Sequence, residues 1–153
     1  MTAQARPPAG CRSRPLGAMR DIATASPAVV RRHFPKGVGA ASLARAPSLR
    51  FNAKDELQAR WAQRLCHRHV ELPQHTVPAT QAFVTAALAG MGWGMQPQSL
   101  VAAQLKDGAL VELLPRTPLD VPLHWQYARA ASAMVDALGR ALQAAARAAL
   151  RQG

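Results

Sequence analysis

The chain has 153 residues, 49% of them apolar, and carries a net charge of +11. That length supports one ordinary domain with its own core, and the apolar fraction with three Trp excludes a disordered chain. The lack of any eighteen-residue apolar run excludes a membrane-spanning helix.

The first ten residues, MTAQARPPAG, lack the apolar middle of a secretory signal. A cytoplasmic protein is therefore expected, with Cys11 and Cys66 read as free thiols in preference to a single disulfide. The charge is uneven: residues 1–70 carry thirteen Lys/Arg against three acids, and residues 71–153 carry six against five. A basic half invites a nucleic-acid reading. The arginines are scattered, however, and form no single helical stripe, so a solvated basic surface is the simpler account.

In chain order, residues 1–16 are rich in Pro, Arg and Gly and are expected to be loose. Residues 17–25, GAMRDIATA, make a short strand. Ser26-Pro27 opens a helix, with Ser as the cap and Pro at the first helical position, where its missing N–H costs nothing. The helix stops at Pro35-Lys36-Gly37, and a loop runs to Pro47. Ser48–Phe51 reads as a strand. Asn52 is expected to cap the next helix, with Asp55 at its positive end. Leu57, Trp61 and Leu65 give that helix one apolar face. Cys66, His67, His69 and His75 have the look of a metal cluster, but no second Cys/His pair stands at structural-zinc spacing, so a polar loop is expected and no metal.

Residues 75–78 form an extended segment, and Thr80 is expected to cap a helix that buries Phe83, Val84, Ala87 and Leu88. Trp93–Gln96 is a short strand. Pro97 is expected to open a helix that Lys106-Asp107-Gly108 ends. Ala109–Leu114 and Leu123–Ala128 are strands joined by a loop from Pro115 to Pro122. The last helix, about Ala131 to Leu150, places Met134, Val135, Leu138, Leu142 and Leu150 on one side. Helices and strands alternate with short connections, which favours an α/β layer with a largely parallel sheet.

The stretch AGMGWGMQP, residues 89–97, has Gly90, Gly92 and Gly94 in alternation. A dinucleotide loop needs strand, then G-x-G-x-x-G, then helix. Here a helix comes first and the spacing is wrong, so no phosphate site is expected. Gly90 ends a helix, Gly92 allows a sharp turn, and Gly94 lets a strand pack closely under a helix.

Helix, A-G-M-G-W-G-M-x-P, helix, then K-D-G-A-L-V-E-L-L-P resembles the effector-binding domain of LysR-type transcriptional regulators. The phrases LGAMRDIATASPAVVRRHFPKG, APSLRFNAKDELQ and PLDVPLHWQYAR resemble that family's lysine/arginine-responsive branch, which includes the arginine-export regulator. The resemblance runs from about Cys11 to Leu150. Asp21 departs from it, standing where an aromatic would follow Met-Arg.

The resemblance implies a partial periplasmic-binding-protein-like (type II) α/β domain with a mixed, mostly parallel sheet. Residues 17–128 would form its second subdomain with the hinge strands, and residues 129–153 a helix returning to the first subdomain. The expectation is a C-terminal portion of a regulator without the helix-turn-helix. It further implies a basic amino-acid effector, lysine or arginine, with no cofactor, self-association, and DNA contact only through an N-terminal domain. Ammonium groups seek carboxylates, and a ligand carboxylate seeks helix N-termini and hydroxyls. Asp55 is the candidate for the cationic end, with Asn52 and Thr80 as hydrogen-bond partners and Thr24 and Ser26 as further candidates. A two-lobed solute-binding protein and a basic nucleic-acid-binding module are the alternatives. No Ser-His-Asp, Cys-His or paired-carboxylate pattern stands out, so no enzyme is expected.

Overall fold

The computed structural model describes residues 1–152, apart from the side chains of residues 131–134, 136 and 137. It contains two compact units, one of residues 1–20 and 120–153, the other of residues 21–119. Strand β1 (Cys11–Ala25) runs from the first unit into the second, and β6 (Leu119–Ala128) runs back.

The larger unit holds α1 (Pro27–His33), α2 (Ala40–Leu43), β2 (Ser48–Arg50), α3 (Leu57–Cys66) and β3 (Gln74–Thr76). It continues with α4 (Thr80–Leu88), β4 (Gly94–Pro97), α5 (Ala102–Lys106) and β5 (Val111–Glu112). Strands β2 and β3 pair in parallel, from Ser48 opposite Gln74 to Arg50 opposite Thr76. A parallel bridge from Ser48 to Trp93 joins this pair to the segment entering β4. Strand β1 lies antiparallel to β4, with Asp21 opposite Pro97 and Thr24 opposite Gly94, and antiparallel to β5. Joined through this bridge, the strands of the larger unit run in the order β3-β2-β4-β1-β5, with β1 alone reversed among them, and β6 also pairs with β1. The mixed, mostly parallel character expected from the alternating elements holds. The exception is the strand by which the chain enters the unit, which no preceding helix within the unit has turned round.

Side-chain alternation along β1 divides the core. Ala23 and Ala25 join Trp61, Trp93, Met95, Leu43 and Val29. Ile22 joins Leu49, Phe83, Val84, Val101 and Leu110. Trp61 and Trp93 meet with ring centroids 5.3 Å apart and planes tilted by 52°. Both are almost wholly buried, and truncating either to Ala costs about 3–5 kcal/mol.

The caps refine the reading of the elements. Ser26 does cap α1, its hydroxyl accepting from Val29 N–H at 3.5 Å. Asn52 does not cap α3. Its side chain accepts from Lys54 N–H at 2.9 Å, closing a turn that delays the helix to Leu57. Thr80 does not cap α4 either: the extended residue at that boundary is Ala79, and Thr80 is the first helical residue. Helix α3 ends where His67 takes the left-handed conformation, φ 54°, so one of the suspected metal ligands terminates a helix. Among the described residues no group of three His, Cys, Asp or Glu is placed to hold a metal ion.

Several bounds differ from the expected ones. Strand β1 begins at Cys11, so residues 11–16 are strand and not loose. The loop before Pro47 contains α2, where Ser42 Oγ accepts from Gly39 N–H at 2.9 Å. Pro97 closes β4, and α5 starts only at Ala102 because residues 98–101 form turns. Strand β6 starts at Leu119 and takes in Pro122. On α4, Ala86 is buried, and Leu88, expected inside, is 37% exposed.

In the smaller unit, α6 (Ser132–Ala149) follows a short 3-10 turn at Arg129–Ala131. Trp125 and Tyr127 on β6 stack at 4.7 Å, and the Arg14 guanidinium lies 5.8 Å from the Tyr127 ring centre. Arg20 and Asp120 form a two-point ion pair, both contacts 2.8 Å. Leu138, expected on the apolar face of α6, is 62% exposed, because Gly139 faces Trp125 in its place. Met134, assigned to the same face, lies outside the described side chains.

Candidate functional site

In open α/β sheets, ligands bind beyond the carboxyl ends of the parallel strands. In the larger unit these are the ends of β2 at Arg50, β3 at Thr76 and β4 at Pro97. Arg50 spans the first two: its guanidinium donates to Thr76 Oγ1 at 3.0 Å and to Gln74 Oε1 at 2.9 Å. The β2–α3 loop follows Arg50 and carries Asn52 and Asp55. Helix α4 follows β3 and begins at Thr80.

Asp55 organises its loop. One carboxylate oxygen accepts from Phe51 N–H at 2.8 Å and from Gln58 Nε2 at 3.4 Å. The other accepts from Leu57 N–H at 3.1 Å, at the start of α3. A carboxylate has about four lone-pair sites, so three contacts leave acceptor capacity. Asn52 and Thr80 are exposed, and among the described residues the Thr80 hydroxyl has no hydrogen-bond partner.

Thr24 and Ser26 stand elsewhere. Because β1 is reversed, its final residues lie beside the start of β4 at Gly94, at the amino ends of the parallel strands. Thr24 is fully buried and accepts from Gln96 Nε2 at 2.7 Å, and Ser26 is engaged as the α1 cap. The five candidate residues thus separate into two groups. Asn52, Asp55 and Thr80 share the carboxyl-end edge, while Thr24 and Ser26 are structural groups at the opposite edge.

The same reversal brings an unforeseen residue to the carboxyl ends. Asp21 is opposite Pro97 and only 1% exposed. Asp21 was a visible signal in the sequence, an acid standing where an aromatic would follow Met-Arg. Its meaning depended on the direction of β1.

The glycines answer to close packing and backbone geometry. A Cβ on Gly92 would stand 2.5 Å from the Pro47 carbonyl oxygen, and one on Gly94 would stand 2.7 Å from the Phe83 ring. Gly92 is needed for the close approach of β4 to β2, not for a turn. Gly94 lets α4 settle on the sheet as expected, and Gly90, at φ +79°, ends α4.

A mixed five-stranded sheet with helices on both faces, entered and left by two strands shared with another unit, defines a periplasmic-binding-protein-like effector domain. The LysR substrate binding domain model matches residues 1–147, and this chain belongs to that family. It is 41% identical over 146 residues to the HTH-type transcriptional regulator LysG of Mycobacterium tuberculosis, covering 95% of this chain and 48% of the relative. It is 46% identical over 131 residues to the regulator ArgP of Pseudomonas fluorescens, covering 84% and 43%. The chain thus spans about half the length of the curated relatives it matches. Among solved structures, the C-terminal domains of a LysR family protein from Agrobacterium tumefaciens superpose with a TM-score of 0.95 at 49% identity, covering 99% of this chain and 73% of that one. Full-length LysG of Corynebacterium glutamicum with bound effector Arg superposes with a TM-score of 0.81 at 34% identity, covering 99% and 50%. The chain corresponds to the C-terminal, effector-binding part of LysR-type regulators. The relatives are transcriptional regulators, and no helix among the described residues is long and apolar enough to cross a membrane.

Proposed function

We propose that the larger unit binds a basic amino acid, arginine or lysine, as the effector of a cytoplasmic LysR-type regulator. The observation that carries this reading is the placement of Asp21 and Asp55 at the carboxyl ends of the parallel strands, where the effector domains of α/β design take their ligands. The arginine bound to similar LysG supports the choice of effector. Carboxylates there serve the ligand's cationic groups through charge-assisted hydrogen bonds. The α4 N-terminus with the Thr80 hydroxyl, and the Asn52 side chain, serve its carboxylate. Thr24 and Ser26 take no direct part. No cofactor is involved and no reaction is catalysed. In the whole regulator, copies of the chain associate with one another, and DNA is contacted by the half of the relatives' length that this chain does not match.

Calorimetric titration of the chain tests the effector. Arginine or lysine should give saturable heat and leucine none. Asp21→Asn and Asp55→Asn each remove a charge with little change of shape, and each should weaken binding about tenfold, the worth of roughly 1.4 kcal/mol. Equal binding of leucine would overturn the basic-effector reading. Unchanged affinity in both variants would remove the carboxylates from the site.

A further inference from the structure

A recess of about 190 Å³ opens on the larger unit, lined by Trp61, Arg64, Leu65, His67, Arg116 and Thr117. It lies at the C-terminal end of α3, where His67 follows the helix, and so apart from the β2–α3 loop that precedes the helix. Three of its six lining residues are basic and none is acidic. Neither Arg64 nor Arg116 has a carboxylate within salt-bridge distance among the described residues.

The walls are held in place. Trp61 Nε1 donates to the Thr117 carbonyl oxygen at 2.8 Å and lies 3.2 Å from the Thr117 hydroxyl, which itself donates to the Leu114 carbonyl at 2.7 Å. Arg64 Nη1 donates to the Pro118 carbonyl at 3.4 Å. That contact uses one of five guanidinium donors. Arg116 has φ +66°, a left-handed conformation that a non-glycine residue adopts at a cost of order 1 kcal/mol. A glycine would be the cheaper residue at that turn, and arginine stands there instead. The negative end of the α3 dipole is worth about half a charge and is outweighed by two guanidiniums.

We propose that this recess is an anion site, separate from the effector edge, that takes a small tetrahedral dianion of the phosphate type. Guanidinium forks match the oxygens of such an ion in pairs. The recess is roomy enough for the ion with part of its hydration.

Titration of the chain with inorganic phosphate, followed by the Trp61 indole N–H resonance, tests the site. A saturable shift with a midpoint on the order of millimolar is expected, with the Trp125 indole as an unmoved reference. Sodium chloride at matched ionic strength should not reproduce it. Arg64→Gln should weaken the response at least tenfold. Arg116→Gly should do the same while preserving the fold, since glycine adopts the turn without strain. An absent shift, an equal shift with chloride, or an undiminished response in both variants would overturn the proposal. Arginine titration of the same variants reads the effector edge independently, so a failure of one site is distinguishable from a failure of the other.

Discussion

Gln96 and Thr24 meet inside the sheet, the Gln96 amide donating to the Thr24 hydroxyl at 2.7 Å with both side chains almost wholly buried. The pair lies on the side of β1 and β4 that is otherwise lined by Ile22, Leu49 and Phe83. A buried amide that loses its partner retains its desolvation cost, about 1–3 kcal/mol, whereas removing both partners can be close to neutral. Thr24→Val should therefore destabilise the chain by about that amount. Adding Gln96→Leu should recover part of the loss. Urea unfolding of both single variants and the double variant measures the coupling. A double variant whose loss equals the sum of the singles would show that the bond contributes nothing of its own.

The glycines make a second prediction, in which the neighbour decides the magnitude. At Gly92 the obstacle is a backbone carbonyl, Pro47 O, held by the hydrogen bond from Trp93 N–H at 3.0 Å. At Gly94 it is the edge of a side chain, Phe83. A ring can be trimmed, but a carbonyl cannot. Gly94→Ala should cost about 1–3 kcal/mol, and combining it with Phe83→Leu should be less damaging than the two changes summed. Gly92→Ala should cost more, and no substitution at Phe83 should relieve it. Thermal unfolding by circular dichroism compares the three single variants and the two double variants.

What could be read from the sequence was whatever depended on neighbours along the chain. Ser26-Pro27 started a helix, Gly90 ended one, and Leu57, Trp61 and Leu65 shared a face. Where two local options competed, the reading failed: Asn52 spent its amide on Lys54 N–H and left the helix to begin at Leu57. The candidate site was half legible for the same reason. Asn52, Asp55 and Thr80 each follow a parallel strand, so order along the chain was enough to place them on one edge. Thr24, Ser26 and Asp21 depend on the direction of β1, which is set by pairing with β4, seventy or more residues away. Reversing one strand exchanges its two ends, and with them the polar groups that stand at each edge of the sheet.

Asp55 allows two roles to be separated by one pair of variants. Its oxygens accept from the N–H groups of Phe51 and Leu57, so Asp55→Ala removes the loop's organiser as well as a charge. Asp55→Asn keeps an acceptor. The alanine variant should lose about 0.5–2 kcal/mol of stability, as for other lost helix-start acceptors, and the asparagine variant less than half of that. Chemical denaturation provides the comparison. Equal losses would place the stabilising effect in the charge and not in the hydrogen bonds.

Leu138 tests the smaller unit. Its side chain is 62% exposed on α6, while the next residue, Gly139, faces the Trp125 ring so closely that a Cβ there would stand 2.7 Å from it. The two neighbours should respond oppositely to substitution. Leu138→Glu removes an exposed apolar group and should change stability by no more than about 0.5 kcal/mol. Gly139→Ala gains intrinsic helix propensity of up to about 1 kcal/mol, yet the contact with Trp125 should outweigh it and leave a net loss. Trp125→Leu should return that gain by removing the obstacle, so Gly139→Ala should be stabilising in its presence. If copies of the chain associate through α6, Leu138→Glu should also lower the mass seen by light scattering while leaving the far-ultraviolet circular dichroism unchanged. An unchanged mass from an associating wild-type chain would place the contact on another surface.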